Sequence, residues 1–158
     1  MTLSRGILVG HGRPAFEAAA EHLLTWGAHR DAGLRVTAEA DRVTPGTTVS
    51  LVIGRPPLAV TARCVVLAVV EEPRERGFVY EALPGHPERG VQHFRVSLAD
   101  DGTVSAVVHA ESAPASLLAR LGGPVTALVQ RRVVDGYLRA LRRAGLAAED
   151  RVCPVGPG

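Results

Sequence analysis

The chain alternates between two periodicities. From Pro14, a residue tolerated in a first helical turn, Phe16, Ala19, Ala20, Leu23 and Leu24 recur at helical spacing as far as Trp26 and Gly27. This predicts a helix of about three turns. From Leu34 the period changes to two: Leu34, Val36 and Ala38 alternate with Arg35, Thr37 and Glu39, and Thr44-Pro45-Gly46-Thr47 marks a turn before Val49, Leu51 and Ile53. Past Arg55-Pro56-Pro57, the nearly continuous apolar run from Val60 to Val70 predicts a long strand ending in the charged turn Glu71 to Gly77. Further strands are predicted over Phe78 to Leu83, Val91 to Leu98 and Val104 to Glu111, the last two joined at the hairpin signal Asp100-Asp101-Gly102. Consecutive strands with short turns imply an antiparallel meander of about six strands.

After Pro114 the helical period returns in a short piece through Leu117, Leu118 and Leu121, and Gly122-Gly123-Pro124 breaks it. A long helix then runs to about Ala144, with an apolar stripe of Val125, Leu128, Val129, Val133, Val134, Tyr137, Leu138 and Leu141. A sheet with one apolar face must be covered, and this helix is the only predicted element long enough to do so. The expected fold is therefore α+β: a curved antiparallel sheet wrapped around a long C-terminal helix, helix-grip-like, in a single domain over 1–150. The Pro- and Gly-rich 151–158 is expected to be a flexible tail. This architecture leaves room between sheet and helix for a small apolar molecule.

With 158 residues and 46% apolar content, the composition suits one well-packed core and excludes a disordered chain. All 18 basic residues are Arg, against 16 acidic ones, so no Schiff-base lysine and no P-loop lysine exists. Cys64 and Cys153 lack any CxxC spacing, which points to reduced thiols. Ile7-Leu8-Val9 is too short for a secretory leader, and no run approaches the ~20 apolar residues of a membrane span, so a cytoplasmic protein is expected.

Gly10-His11-Gly12-Arg13-Pro14-Ala15 before a helix imitates a dinucleotide fingerprint. The antiparallel strands that follow, and the N–H missing at Pro14, argue instead for a plain loop entering a helix. His86, Glu88 and His93 suggest a metal cluster, yet the Pro-Cys-x-x-Cys partner of zinc deaminases is absent and no two His share a His-x-x-x-His spacing. No metal and no cofactor is implied, and the six histidines are read as surface or turn residues.

Strand phase is more informative, because alternate residues share a face. If Phe94, Val96 and Leu98 point inward, so does Gln92, which then needs hydrogen-bond partners. On the preceding strand Phe78, Tyr80 and Ala82 share a face, which gives Tyr80 the chance to meet Gln92. Tyr80 and Gln92 are thus the candidate catalytic pair, and the cavity wall is assigned to Trp26, Phe78, Phe94, Val96, Val108 and Tyr137. His109 and Glu111 share the opposite face, where an acid–base pair is conceivable and a solvated face is the simpler reading. Arg120, Arg131, Arg132, Arg139, Arg142 and Arg143 against Asp135 leave the last helical region at +5. With aromatics at only 4%, no stacking platform accompanies these charges, so nucleic acid is not expected as a partner, nor is a membrane.

Gly77-Phe78-Val79-Tyr80-Glu81-Ala82-Leu83-Pro84-Gly85-His86-Pro87-Glu88-Arg89-Gly90 resembles the hallmark of the bacterial and plant family called domain of unknown function 1990 (UPF0548). The similarity extends from the Gly-rich start through Trp26 and His29 into Gly123-Pro124 and the Arg-rich helix. It implies a sheet wrapped on a long helix. Where the family pattern has Gly-Thr this chain has Glu81-Ala82, and where it has Glu-Glu this chain has Val91-Gln92. Glu111-Ser112-Ala113-Pro114 replaces a Phe-Ser-Arg-Pro run. Glutamine has no proton that titrates near neutrality, so it cannot act as a general base, although it can still orient a substrate or polarise a carbonyl. The chain is read as a divergent member.

These features lead to a protein that holds an apolar or polyketide-like small molecule, as a cofactor-free cyclase, isomerase or lyase in a biosynthetic pathway. The alternatives are a non-catalytic carrier, or an interaction module that docks an acidic partner through the Arg-rich helix. Homo-oligomerisation is left open.

Overall fold

A computed structural model describes residues 1–85, 88–114 and 123–152. Its strands are β1 (Thr2–His11), β2 (Arg35–Ala38), β3 (Thr48–Ile53), β4 (Val60–Glu72), β5 (Glu75–Ala82), β6 (Glu88–Leu98) and β7 (Thr103–Pro114). Helices α1 (Gly12–Leu24) and α2 (Gly27–Asp31) link β1 to β2, and α3 (Gly123–Val152) follows β7. All seven strands form one antiparallel sheet in the order β1-β7-β6-β5-β4-β3-β2. The chain thus opens on one edge, crosses by α1 and α2 to the other, and meanders back.

The expected six strands become seven because Thr2–His11 pairs with β7. Its inward Leu3, Ile7 and Val9 do alternate, but Arg5 interrupts them on the same face. That Arg5 sits at an edge, where its guanidinium meets Asp135 of α3 at 2.7 Å. The last helix runs to Val152 instead of Ala144, so Arg151 and Val152 belong to it. The rest of the expected tail, and the short helical piece through Leu117, Leu118 and Leu121, lie outside the described residues.

Two halves of the concave face differ. Toward β1, α1 lays Phe16, Ala19, Ala20 and Leu23 on the sheet, and the C-terminal half of α3 adds Leu138 and Leu141. Close approach there depends on Gly145, where a Cβ would stand 2.5 Å from Val9 Cγ1. The N-terminal half of α3 departs from expectation. Val125, Leu128 and Val129 of the predicted stripe are exposed, whereas the stripe is buried from Val134 onward, where Tyr137 meets His29 of α2 at 4.5 Å.

Inside the sheet, Gly77 of β5 lies against β6, where an added Cβ would fall 2.0 Å from the Phe94 carbonyl oxygen. Neither backbone can yield without breaking the ladder around Phe78 and Phe94. Gly77→Ala is expected to cost at least ~2 kcal/mol, read as a lowered urea midpoint with an unchanged slope. A variant as stable as the parent would show that β5 and β6 can separate freely here.

Candidate functional site

The inward phase of the central strands carries large side chains at one end and small ones at the other. At the β1 end Phe78 and Phe94 stack with centroids 4.7 Å apart, and Trp26 meets Phe78 edge-on at 5.6 Å. Further along the same strands the inward residues are Ala82, Ala110, Ala62 and Cys64. The first set closes the core. The second leaves a cavity of about 500 Å³ between the sheet and the N-terminal half of α3, within the usual range for small-molecule sites.

Leu51, Ile53, Ala62 and Cys64 form the β3–β4 wall of this cavity, and Val129, Val133 and Val134 form the α3 wall. Tyr80, Gln92 and Tyr137 stand where it meets the aromatic core. Tyr137 is thus on the wall as expected. Trp26, Phe78, Phe94, Val96 and Val108 do not line this cavity: all five are buried in the core beside it. The sequence signal for the true wall is the run of small inward residues, which strand phase alone does not weigh.

Tyr80 and Gln92 are cross-strand partners, and the Tyr80 hydroxyl donates to Gln92 Oε1 at 2.9 Å. With that proton committed, the Tyr80 oxygen can only accept, and two groups face it. Tyr137 is a side-chain hydrogen-bond partner of Tyr80, and His29 Nε2 lies 3.4 Å away, where its Nε2–H tautomer would donate. Nδ1 of His29 is then the lone-pair nitrogen, and it has no partner among the described residues.

His29 corrects the reading of the histidines as surface or turn residues. Held on α2 after the left-handed turn at Trp26, it is fully buried, with Tyr137, Phe94, Trp26 and Tyr80 rings around it at centroid distances of 4.5 to 5.9 Å. Burial, reinforced by the charge of Arg30, pulls its pKa down to about 3, so the imidazole is neutral. Desolvation also holds the Tyr80 phenol well above its ordinary value and raises that of Tyr137. The Cys64 thiol is pushed up to about 12 by the same cause. These four groups are all neutral at pH 7, so this end of the cavity offers hydrogen bonds and carries no charge. Gln92 keeps its amide N–H groups available toward the space, since its Oε1 takes the Tyr80 proton.

The convex face carries a different cluster. His93 and His109 are cross-strand neighbours with rings 6.0 Å apart, and His109 Nε2 lies 3.3 Å from Glu111 Oε1. The group faces solvent, away from the cavity. Among the described residues no three His, Cys, Asp or Glu side chains come together to hold a metal; His86 lies outside them, as does the side chain of Glu88.

Comparisons with known proteins fit this geometry. The family model described as a domain of unknown function, DUF1990, matches residues 2–140. A UPF0548 protein of Deinococcus radiodurans is 37% identical over 79 residues, which cover 50% of this chain and 40% of that relative. The matched stretch is thus less than half the length of the relative. Among solved structures, the Zhui aromatase/cyclase from Streptomyces sp. R1128 superposes with a TM-score of 0.65 at 16% identity, covering 100% of this chain and 99% of that one. Norcoclaurine synthase from Thalictrum flavum, solved with dopamine and hydroxybenzaldehyde, gives a TM-score of 0.62 at 10% identity over 93% of this chain and 87% of its own. At such identities the likeness is one of fold, the helix-grip fold. No helix of the described residues is long and apolar enough to cross a membrane.

Proposed function

The chain belongs to the DUF1990 family, and on that premise we propose that it binds an apolar, polyketide-like or aromatic small molecule between its sheet and α3, and acts on it without a cofactor. The carrying observation is the roughly 500 Å³ apolar cavity with the hydrogen-bonded Tyr80–Gln92 pair at its inner end. Solved helix-grip neighbours include an aromatase/cyclase and a synthase crystallised with two aromatic compounds, which supports a ligand of this kind.

The chemistry follows from the protonation states. A carbonyl placed against the Gln92 amide gains a fixed donor in a water-poor site, and negative charge developing on its oxygen is stabilised where it forms. Tyr80 and Tyr137 hold Gln92 in place and keep the site neutral. A cyclisation in which the ligand's own enol attacks its carbonyl suits such a site, because the enol proton passes to the new alkoxide as the carbon–carbon bond forms, the cavity folds the chain and the donor lowers the barrier. A carrier reading is favoured by one observation: burial leaves His29 a weak base, with a pKa of about 3, and keeps Cys64, Tyr80 and Tyr137 protonated near neutral pH.

Native mass spectrometry of the protein purified from its own host, against its denatured mass, is expected to show a retained small molecule. Incubation with precursors of that molecule then separates enzyme from carrier. Gln92→Leu is expected to lower turnover by ~100-fold, the usual loss for one oxyanion donor, and Tyr80→Phe by less, since it frees the Gln92 oxygen without removing the amide. Unchanged turnover in both variants, with stability intact, would overturn the catalytic reading. Retained affinity without product formation would leave a carrier.

A further inference from the structure

The mouth of the cavity is lined by apolar residues that are exposed among the described residues. On one lip, the turn between β3 and β4 lifts Leu58 into solvent at 84% exposure, with Val60 beside it at 41%. On the other, α3 presents Val125 at 68% and Val129 at 40%, and Leu128, outside the lining, continues the exposed apolar surface around the helix at 51%. Val125, Leu128 and Arg132 are spaced at intervals of three and four, so they form one stripe along the helix. Leu58, Val60, Val125 and Val129 gather at one opening with Leu128 beside them on the helix, whereas single exposed apolar residues scattered over a surface would need no explanation.

The charges on both lips have one sign. Residues 43–70 and 112–134 contain no Asp or Glu. Arg55 closes the Leu58 turn, its carbonyl accepting the Leu58 N–H at 2.9 Å, and its side chain is exposed. Arg131 and Arg132 are exposed on α3. The first carboxylate on that helix, Asp135, is drawn toward β1 by Arg5 at 2.7 Å. Glu111, whose backbone borders the opening, pairs its side chain with His109 on the convex face.

An apolar rim with exposed Arg55, Arg131 and Arg132 on its two sides is the surface chemistry of proteins that settle on anionic bilayers, where apolar side chains enter the headgroup region and cations meet acidic lipids. We propose that this mouth docks on an anionic lipid surface, so that a ligand poorly soluble in water passes between bilayer and cavity without crossing solvent. The inference rests on the cavity being the ligand site. It needs no membrane span, and it departs from the sequence expectation that a membrane is not a partner.

Flotation of the intact protein with vesicles tests it. Binding is expected to vesicles of mixed phosphatidylcholine and phosphatidylglycerol, to be weak with phosphatidylcholine alone, and to fall with added salt. Leu128→Glu and Arg132→Glu, both at exposed positions outside the cavity wall, are each expected to lower partitioning at least about tenfold with thermal melting unchanged. Absence of binding to the anionic vesicles, or equal binding by the two variants and the parent, would overturn the proposal. So would an interaction with polyglutamate that the same variants abolish while vesicles are ignored, which would assign the surface to an acidic protein. Uptake of 1-naphthol, followed by its fluorescence, separates this inference from the proposed function. Uptake with no vesicle binding defeats the docking surface alone, and vesicle binding with no uptake defeats the ligand cavity alone.

Discussion

Acidification is expected to destabilise this protein through His29 more than through any other histidine. The imidazole is fully buried and its pKa falls from 6.5 to about 3. Above pH 6.5 neither the native nor the unfolded chain protonates it, and its contribution to stability is complete. Between 6.5 and about 3 the unfolded chain takes up a proton that the native state refuses, so stability falls with pH across that window. By its lower end the loss reaches ~4–5 kcal/mol, a large part of a typical folding free energy. His29→Gln removes the titration while offering Tyr80 a donor. Urea midpoints at neutrality and at about pH 4 should show the parent losing ~3 kcal/mol more than the variant. Parallel pH profiles would mean that the imidazole is reached by water and protonates in place.

Trp26→Ala is the second large expectation, at ~3–5 kcal/mol. Trp26 is the largest fully buried side chain, and it packs edge-on against both His29 and Phe78 at 5.3 and 5.6 Å. Its indole N–H donates to the Ala40 carbonyl at 3.3 Å, tying α2 to the loop after β2. It also holds φ at 65°, a left-handed conformation that starts α2 and is sustained here by the packing around the ring. Alanine would leave a void in the aromatic cluster and remove what aims His29 at Tyr80. A loss of roughly 10 °C in melting temperature is expected, followed by circular dichroism because the variant has no other tryptophan. Trp26→Phe should lose about 1–2 kcal/mol, since it keeps ring contacts and drops the N–H bond. A Trp26→Ala variant within about 1 kcal/mol of the parent would show that the cluster collapses onto the gap.

Both expectations concern residues whose roles were read incompletely along the chain. Trp26 was placed on the cavity wall because it ends an amphipathic helix, and His29 was taken for a surface residue because nothing in its neighbours marks burial. Each lies in a two-turn region whose helical face is too short to show a period. Tyr80 and Gln92 fared differently. They sit in long strands with clean alternation, so a shared inward face follows from counting by two, and the facing register is set by the β5–β6 pairing.

The same contrast separates what the sequence settled alone from what needed the folded chain. Alternation, turn residues and one long amphipathic stripe determined the antiparallel meander, the closing helix and the shared inward face of Tyr80 and Gln92, because each depends on residues close in sequence or on the next strand. The extent and position of the cavity, the burial of His29 and the exposure of Val125 and Leu128 were decided by tertiary structure. They depend on where α1 and α2, arriving from the far end of the chain, stop filling the concave face. That boundary is set by side-chain volume summed over elements distant in sequence, which no local period records.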